Sequence, residues 1–161
     1  MVSRFSRAWD WSLNGGGWLA GIGIIFIMVS VNYEVVMRYF LNSPTAWVVN
    51  FTEYSMLYLV FLSVPLVLAR ERHVKLDFLL NSLSPKVQRT LNTVTSLVGA
   101  ISCAVLFWYS LQITSRALEL NSVIVAAILT PKWIILAIMP VGSFFLTVQF
   151  LRRAWFYATK P

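Results

Sequence analysis

The residues best placed to do chemistry are ionisable side chains at the ends of long apolar stretches. Glu34 and Arg38 are four positions apart, so on a helix they share a face and can form an ion pair. Arg116 and Glu119, three positions apart, can pair in the same way. Glu53 precedes a later apolar stretch, where a carboxylate complements the positive N-terminal end of a helix. Such groups at helix ends can be solvated or contact lipid headgroups, or they can contact a protein partner. Both interpretations stay open.

A second polar group lies in a basic segment between two apolar stretches. It contains Arg70, Arg72, His73 and Asp77. These side chains can fix a turn and a helix that follows it. Alternatively, the segment is a polar connector that happens to contain a histidine.

The sequence predicts neither an enzyme nor a cofactor site. No ionisable residue lies near the centre of an apolar stretch, although transport and catalysis inside a membrane usually need one. His73 is the sole histidine and lies outside these stretches, so a haem held by histidines within the membrane is not expected. Cys103 is the single cysteine, which argues against a disulfide or a cysteine-rich metal site. We therefore expect no catalytic, cofactor-binding or metal-binding residue.

Four long stretches without charge must position the ionisable groups. They contain 23 residues after Asp10, 16 after Glu53, 26 after Arg89 and 19 after Lys132. A bilayer core needs about 20 apolar residues per helix, and apolar residues before Glu53 lengthen the shortest stretch. We predict an all-α integral membrane protein of one domain, residues 1–161, with four transmembrane helices plus short amphipathic surface helices. The predicted spans are residues 14–38, 50–70, 88–116 and 132–152.

Two further segments are predicted to lie on membrane surfaces. Leu76, Leu79, Leu80 and Leu83 recur at the spacing of one helix face, which predicts a surface helix over residues 76–83. The apolar run 123–129 is too short to cross a bilayer. We expect it to rest on the outer membrane surface or against another protein.

Four successive spans place the termini and the connecting segments on alternating sides of the membrane. The charges divide unequally between these two sides. The side with both termini has ten bases and three acids, whereas the other side has three of each. Because Lys and Arg favour cytoplasmic loops, we predict that both termini are cytoplasmic. The many basic residues that give the high pI are explained more simply by attraction to anionic lipid headgroups than by binding to nucleic acid. The ten bases are Arg4, Arg7, Arg70, Arg72, Lys75, Lys86, Arg89, Arg152, Arg153 and Lys160.

Glycine and proline predict where helices meet and break. The run Gly15–Gly17 is expected to loosen the start of the first helix, and Gly17 with Gly21 forms a GxxxG pair suited to close helix contact. The run 42–44, Asn-Ser-Pro, should end that helix. Pro65 predicts a kink in the second span, and Pro140 predicts a break near the middle of the fourth.

Several short motifs follow one another in a recognisable order. They are Tyr33-Glu34-Val35-Val36-Met37-Arg38-Tyr39-Phe40, Asn42-Ser43-Pro44-Thr45 with Trp47, Glu53-Tyr54, His73-Val74-Lys75-Leu76-Asp77-Phe78, Pro131-Lys132-Trp133 and Pro140-Val141-Gly142. Together they resemble the small membrane subunits, called DctQ-like, of tripartite ATP-independent periplasmic (TRAP) transporters. Many members have an acid two or three residues after the tryptophan, where this chain has Val49 and Asn50. Glu53 is the nearest substitute.

This resemblance implies a scaffold for organic-acid uptake in the inner membrane of a bacterium. In that family the small subunit binds a large membrane subunit, which holds the substrate and sodium sites and moves as an elevator. A periplasmic binding protein delivers the substrate. By the same resemblance, Glu34, Arg38, Trp47 and Glu53 would order the outer side near this docking protein. Arg70, Arg72, His73 and Asp77 would fix the cytoplasmic turn.

Two other functions remain possible on the sequence alone. A small proton-coupled multidrug exporter would need an essential acid in its first span, for which Glu34 is the candidate. Its position near the span end, one turn from Arg38, argues against that role. The chain could also be a membrane anchor of another complex, such as a redox complex.

Overall fold

The computed structural model describes residues 2–70, 85–124 and 129–159, with side chains described from residue 9 in the first range and residue 87 in the second. Within these ranges most of the chain is helical, as the apolar composition predicts. The helices are α1 (Val2–Tyr39), α2 (Ala46–Arg70), α3 (Pro85–Glu119), α4 (Lys132–Leu136) and α5 (Ile138–Thr159), and the strands are β1 (Val123–Ile124) and β2 (Thr130–Pro131).

The prediction of four membrane-length helical segments is confirmed for the described residues. Trp9–Tyr39, Ala46–Arg70, Val87–Glu119 and Lys132–Thr159 are each long and apolar enough to cross a membrane. The helices extend beyond the predicted spans: α1 begins at Val2, whereas the first span was predicted from near residue 14, and α5 ends at Thr159, whereas the fourth span was predicted to end near residue 152. Charged residues end an apolar stretch but not a helix, since Arg, Lys and Glu are good helix formers.

The glycine run does not loosen α1, which continues through it. Gly16 and Gly17 are instead where α1 approaches α2: a Cβ on Gly16 would lie 3.1 Å from the carbonyl oxygen of Leu62, and one on Gly17 would collide with Leu66. A Cβ on Gly21 would meet nothing within 4 Å. Only Gly17 of the predicted GxxxG pair is therefore used for close packing within the described part of the chain.

Two asparagines end the long helices on one side of the molecule. Asn42, just after α1, has φ 50°, and Asn121, just after α3, has φ 44°. The amides of Asn121 and Ser122 donate to Leu118 and Ala117, which is the paired hydrogen bonding of a Schellman cap. Asparagine tolerates this left-handed conformation better than most residues. The predicted end of α1 at the Asn-Ser-Pro run is confirmed.

A short strand pair joins α3 to α4. Val123 lies opposite Pro131 and Ile124 opposite Thr130 in antiparallel register. The Lys132 amide donates to the Ser122 carbonyl at 2.9 Å, which holds the base of this connection together. Residues 125–128, at the middle of the predicted outer surface run, and the predicted surface helix at 76–83 lie outside the described residues.

The helices pack in an order that differs from their order in the chain. The extensive contacts run α1 with α2, α2 with α5, and α5 with α3, so α1 and α3 lie at opposite edges. The segment Lys132–Thr159 is central: 39% of its most apolar window is buried, against 6% to 17% in the other three spans. We call the side with Trp9, Arg70 and Thr159 the terminal side and the side with Tyr39 and Glu119 the loop side.

Small residues let α5 occupy this central place. Ser143 has no exposed surface, and its hydroxyl donates to the Met139 carbonyl of the same helix at 2.6 Å. Gly142 is also buried, and a Cβ there would lie 2.5 Å from the Phe61 Cβ and 2.8 Å from the Phe61 oxygen. Pro65 has no N–H to donate to the Phe61 carbonyl four residues earlier, and the oxygen of that carbonyl lies close to Gly142.

The fourth span is interrupted at Ala137, near its start, and not at Pro140 near its middle as predicted. Because the break precedes Pro140, that proline lies in the first turn of α5, where its missing N–H costs little. Neighbouring helices supply hydroxyls to the carbonyls at the break. Tyr58 of α2 donates to the Ile134 oxygen, and Thr114 of α3 donates to the Leu136 oxygen at 3.4 Å. Helix α2 continues through Pro65.

Candidate functional site

A buried carboxylate on the loop side joins α1 to α2. Glu34 is 7% exposed, and its Oε1 accepts hydrogen bonds from Arg38 Nη2 at 2.7 Å and Arg38 Nε at 3.2 Å. Its Oε2 accepts from the Thr45 amide at 2.9 Å and from the Thr45 hydroxyl. Both oxygens are therefore held by donors, which a buried carboxylate requires. We call Glu34, Arg38 and Thr45 the carboxylate clamp.

The local sequence explains why the carboxylate clamp forms. The four-residue spacing places Arg38 one helical turn beyond Glu34, as predicted. Asn42 then reverses the chain, and Thr45 precedes the first residue of α2, Ala46. The Glu34 carboxylate thus also lies at the N-terminal end of α2, where free amides and the helix dipole favour a negative charge.

Aromatic rings pack beside the carboxylate clamp. The Trp47 ring lies 6.2 Å from the Tyr33 ring and 6.0 Å from the Phe51 ring, measured between centroids. Trp47 is 37% exposed and Tyr33 46% exposed, so this cluster also forms part of the surface. Such rings favour the membrane–water interface because they combine an apolar body with a polar atom.

Glu53 and the Arg116–Glu119 pair are placed differently from the carboxylate clamp. All three side chains are exposed, and among the described residues none of them forms an ion pair. The predicted pairing of Arg116 with Glu119 is therefore not formed. Together with Lys132 they give the loop side a set of exposed charges of both signs.

The terminal side is tied by polar contacts between α1 and its neighbours. Arg70 Nη2 at the end of α2 donates to Asn14 Oδ1 at 3.1 Å. The Trp9 indole N–H donates to Gln149 Oε1 on α5 at 3.3 Å. Arg152 Nη1 lies 3.6 Å from Asp10 Oδ1, a second contact of α1 with α5. Several of the bases assigned to lipid contact thus also join helices.

Arg89 provides the tie between α3 and α5 on the terminal side. Its Nε donates to the Tyr157 carbonyl at 2.8 Å, and its Nη2 donates to the Ala158 carbonyl. The last carbonyls of a helix have no partner within the helix, and a cation there also complements the helix dipole. Arg72, His73 and Asp77 lie outside the described residues, so the structure places only Arg70 of the second predicted group.

Sequence reasoning missed the partners that come from other helices. Thr45, Asn14, Gln149 and Arg89 were not singled out as site residues, because their roles depend on contacts between distant parts of the chain. Asp10 carried a signal that could have been used. It is an acid within the strongly basic N-terminal segment, which suggests a basic partner nearby.

The arrangement defines a class of protein: a helical protein with four membrane-length segments, in which several polar groups connect helices at both ends. Among the described residues, no three His, Cys, Asp or Glu side chains come together as metal ligands would. The family described as "Tripartite ATP-independent periplasmic transporters, DctQ component" matches residues 27–158. The chain belongs to this family and is a small membrane component of a TRAP transporter. A comparison with curated proteins gave no match.

Proposed function

We propose that this chain is the membrane-fixed scaffold of a sodium-coupled TRAP transporter that takes up an organic acid into a bacterium. It would hold the large membrane subunit that carries the substrate and sodium sites, with both termini cytoplasmic in the inner membrane. The observation that carries the proposal is the combination of family membership with helices tied together on both sides.

The exposed surface supports a role in assembly. Helices α1 and α3 lie at the edges of the packing and leave broad apolar faces open, with residues such as Ile25, Val98 and Ile101 more than half exposed. Lipid accounts for part of such a surface, and the large subunit would cover another part. Among the described residues, no Asp, Glu, His, Lys or Arg lies near the centre of a membrane-length helix, which suits a scaffold better than an ion carrier.

The loop side would help to dock the periplasmic binding protein. Its charges sum to zero in the sequence and include the exposed Glu53, Arg116, Glu119 and Lys132. Charges of both signs suit a complementary protein surface better than an anionic membrane. The carboxylate clamp would keep the turn between α1 and α2 in one shape beneath this surface.

The carboxylate clamp also argues against a proton-coupled exporter. An exporter would need Glu34 to gain and lose a proton in contact with substrate. In the structure both oxygens of Glu34 are bonded to Arg38 and Thr45. A carboxylate held in this way suits a fixed structural contact.

Uptake in the native host tests the proposed function. We would delete this chain while keeping the large subunit and measure sodium-dependent uptake of labelled dicarboxylates, keto acids and sialic acid. At least one uptake activity should disappear and return when the chain is supplied from a plasmid. If sodium-dependent uptake of every acid in the panel were the same with and without the chain, the organic-acid scaffold would be wrong.

A further inference from the structure

A polar cavity of about 360 Å³ opens between α1, α2 and α5 on the terminal side. Its rim is formed by Asp10, Arg70 and Arg152, one from each helix. The rim therefore carries two guanidinium groups and one carboxylate. Such a volume lies within the range of small-molecule sites, about 300–1,000 Å³.

The lining changes from charged to uncharged with depth. A helix rises 1.5 Å per residue, so Leu66 lies about 6 Å deeper than Arg70 and Leu13 about 4.5 Å deeper than Asp10. Both leucines line the cavity, together with Ala69. Two uncharged polar side chains line the same depth, so the floor is only partly apolar. A charged rim above such a floor can take a charged head with part of an apolar body beneath it.

Two side chains that line this space have donors without a partner among the described residues. Arg70 is exposed and uses one Nη2 hydrogen bond to Asn14, and its other N–H groups bond to no described residue. Gln149 is 8% exposed, and its Oε1 accepts from Trp9 while its amide nitrogen bonds to no described residue. A phosphate group would accept from both, and the planar guanidinium of arginine fits phosphate oxygens well.

We propose that this cavity binds the phosphate group of an anionic phospholipid headgroup. The cavity lies where three membrane-length helices reach the more basic membrane surface, and basic pockets between helices on that side suit such headgroups. The Asp10 carboxylate holds Arg152 at 3.6 Å and limits the net charge of the rim, which restricts binding to one headgroup. This inference depends on the proposed orientation of the chain, with both termini cytoplasmic. It does not depend on the large subunit or on the periplasmic binding protein.

Binding of defined lipids to the full purified chain tests the proposal. The chain is delipidated in mild detergent and titrated with phosphatidylglycerol, phosphatidylcholine or inorganic phosphate, and bound molecules are counted by native mass spectrometry. We expect one phosphatidylglycerol per chain and binding of phosphatidylcholine about tenfold weaker, since its headgroup carries no net charge. Inorganic phosphate should bind far more weakly because it has no apolar group to contact Leu13 and Leu66.

Two variants and a control locate the site. Arg70→Gln should weaken phosphatidylglycerol binding about tenfold, the loss expected for one charge-assisted hydrogen bond. Arg153→Gln is the control, because it removes the same charge from α5 on the same side of the molecule. The Arg153 guanidinium lies 5.9 Å from the centre of the Tyr157 ring. This substitution should change the affinity for phosphatidylglycerol by no more than about twofold. Gln149→Glu keeps an acceptor for Trp9 but places a carboxylate in the cavity, so it should also weaken binding.

Each outcome decides the proposal. Equal affinity for the two lipids, or equal losses in Arg70→Gln and Arg153→Gln, would show only general attraction of basic residues and overturn it. Saturation by inorganic phosphate at the lipid's own concentration would identify a free-anion site instead of a lipid site. Thermal unfolding without lipid checks that each variant is folded. If Arg70→Gln does not fold, the affinity of Gln149→Glu for phosphatidylglycerol tests the proposal instead.

Discussion

Glu34 joins two helices because its two oxygens have different partners. One oxygen accepts from Arg38 on its own helix, and the other accepts from Thr45 at the start of α2. The spacing of Glu34 and Arg38 made the first contact predictable from the sequence. The second could not be predicted, because it depends on how the turn through Asn42 returns the chain.

Removing Arg38 should weaken this junction without preventing membrane insertion. In Arg38→Ala the buried carboxylate keeps only its Thr45 donors, so we expect a loss of about 1–3 kcal/mol in stability. The Arg38 side chain is 52% exposed, which places the loss at the lower end. The measurement is the apparent melting temperature of the purified chain, together with the yield of the assembled transporter.

Arg116→Ala is the matched control for Arg38→Ala. Arg116 is exposed near the end of α3 on the same side of the molecule and forms no ion pair among the described residues. Its loss should leave stability within about 0.5 kcal/mol of the original. Similar effects of the two substitutions would mean that the carboxylate clamp contributes nothing specific.

At the scale of the elements, the lengths of the uncharged stretches predicted the number of membrane-length helical segments. They did not predict where the helices end or where the fourth segment is interrupted. Helices α1 and α5 continue past charged residues because a helix need not end at the hydrocarbon boundary. The break at Ala137 places Pro140 in the first turn of α5. The position of the proline in the sequence did not predict that the break would precede it. Tyr58 and Thr114 then satisfy carbonyls at that break from other helices.

Gly142→Ala tests the close contact of α5 with α2. The added Cβ would lie 2.5 Å from the Phe61 Cβ and 2.8 Å from its carbonyl oxygen, so one helix must move. We expect a loss of about 1–3 kcal/mol, the usual effect of overpacking a core. Thermal unfolding of the purified chain in one detergent provides the measurement.

The comparison for this variant is Gly21→Ala on α1. A Cβ at Gly21 meets nothing within 4 Å, so that substitution should be neutral or slightly stabilising through the higher helix propensity of alanine. If Gly142→Ala unfolded at the same temperature as Gly21→Ala, the α2–α5 contact would be looser than the structure indicates.

At the scale of the whole molecule, the packing order α1, α2, α5, α3 suits the proposed scaffold role. Polar ties on both sides hold the helices together, while the edge helices leave apolar faces exposed. The sequence could not predict this order, because all four spans are apolar around most of their circumference. Family membership was predictable, since the motifs that carry the resemblance largely fall within the matched residues 27–158.

The scaffold account is tested most directly by what the chain binds in its own membrane. The chain would be tagged, solubilised from native membranes in mild detergent and purified, and the associated proteins identified and quantified. We predict a much larger membrane protein with many spans in a fixed ratio to the tagged chain. Purification of the chain alone, as a monomer or a homodimer, would contradict the account.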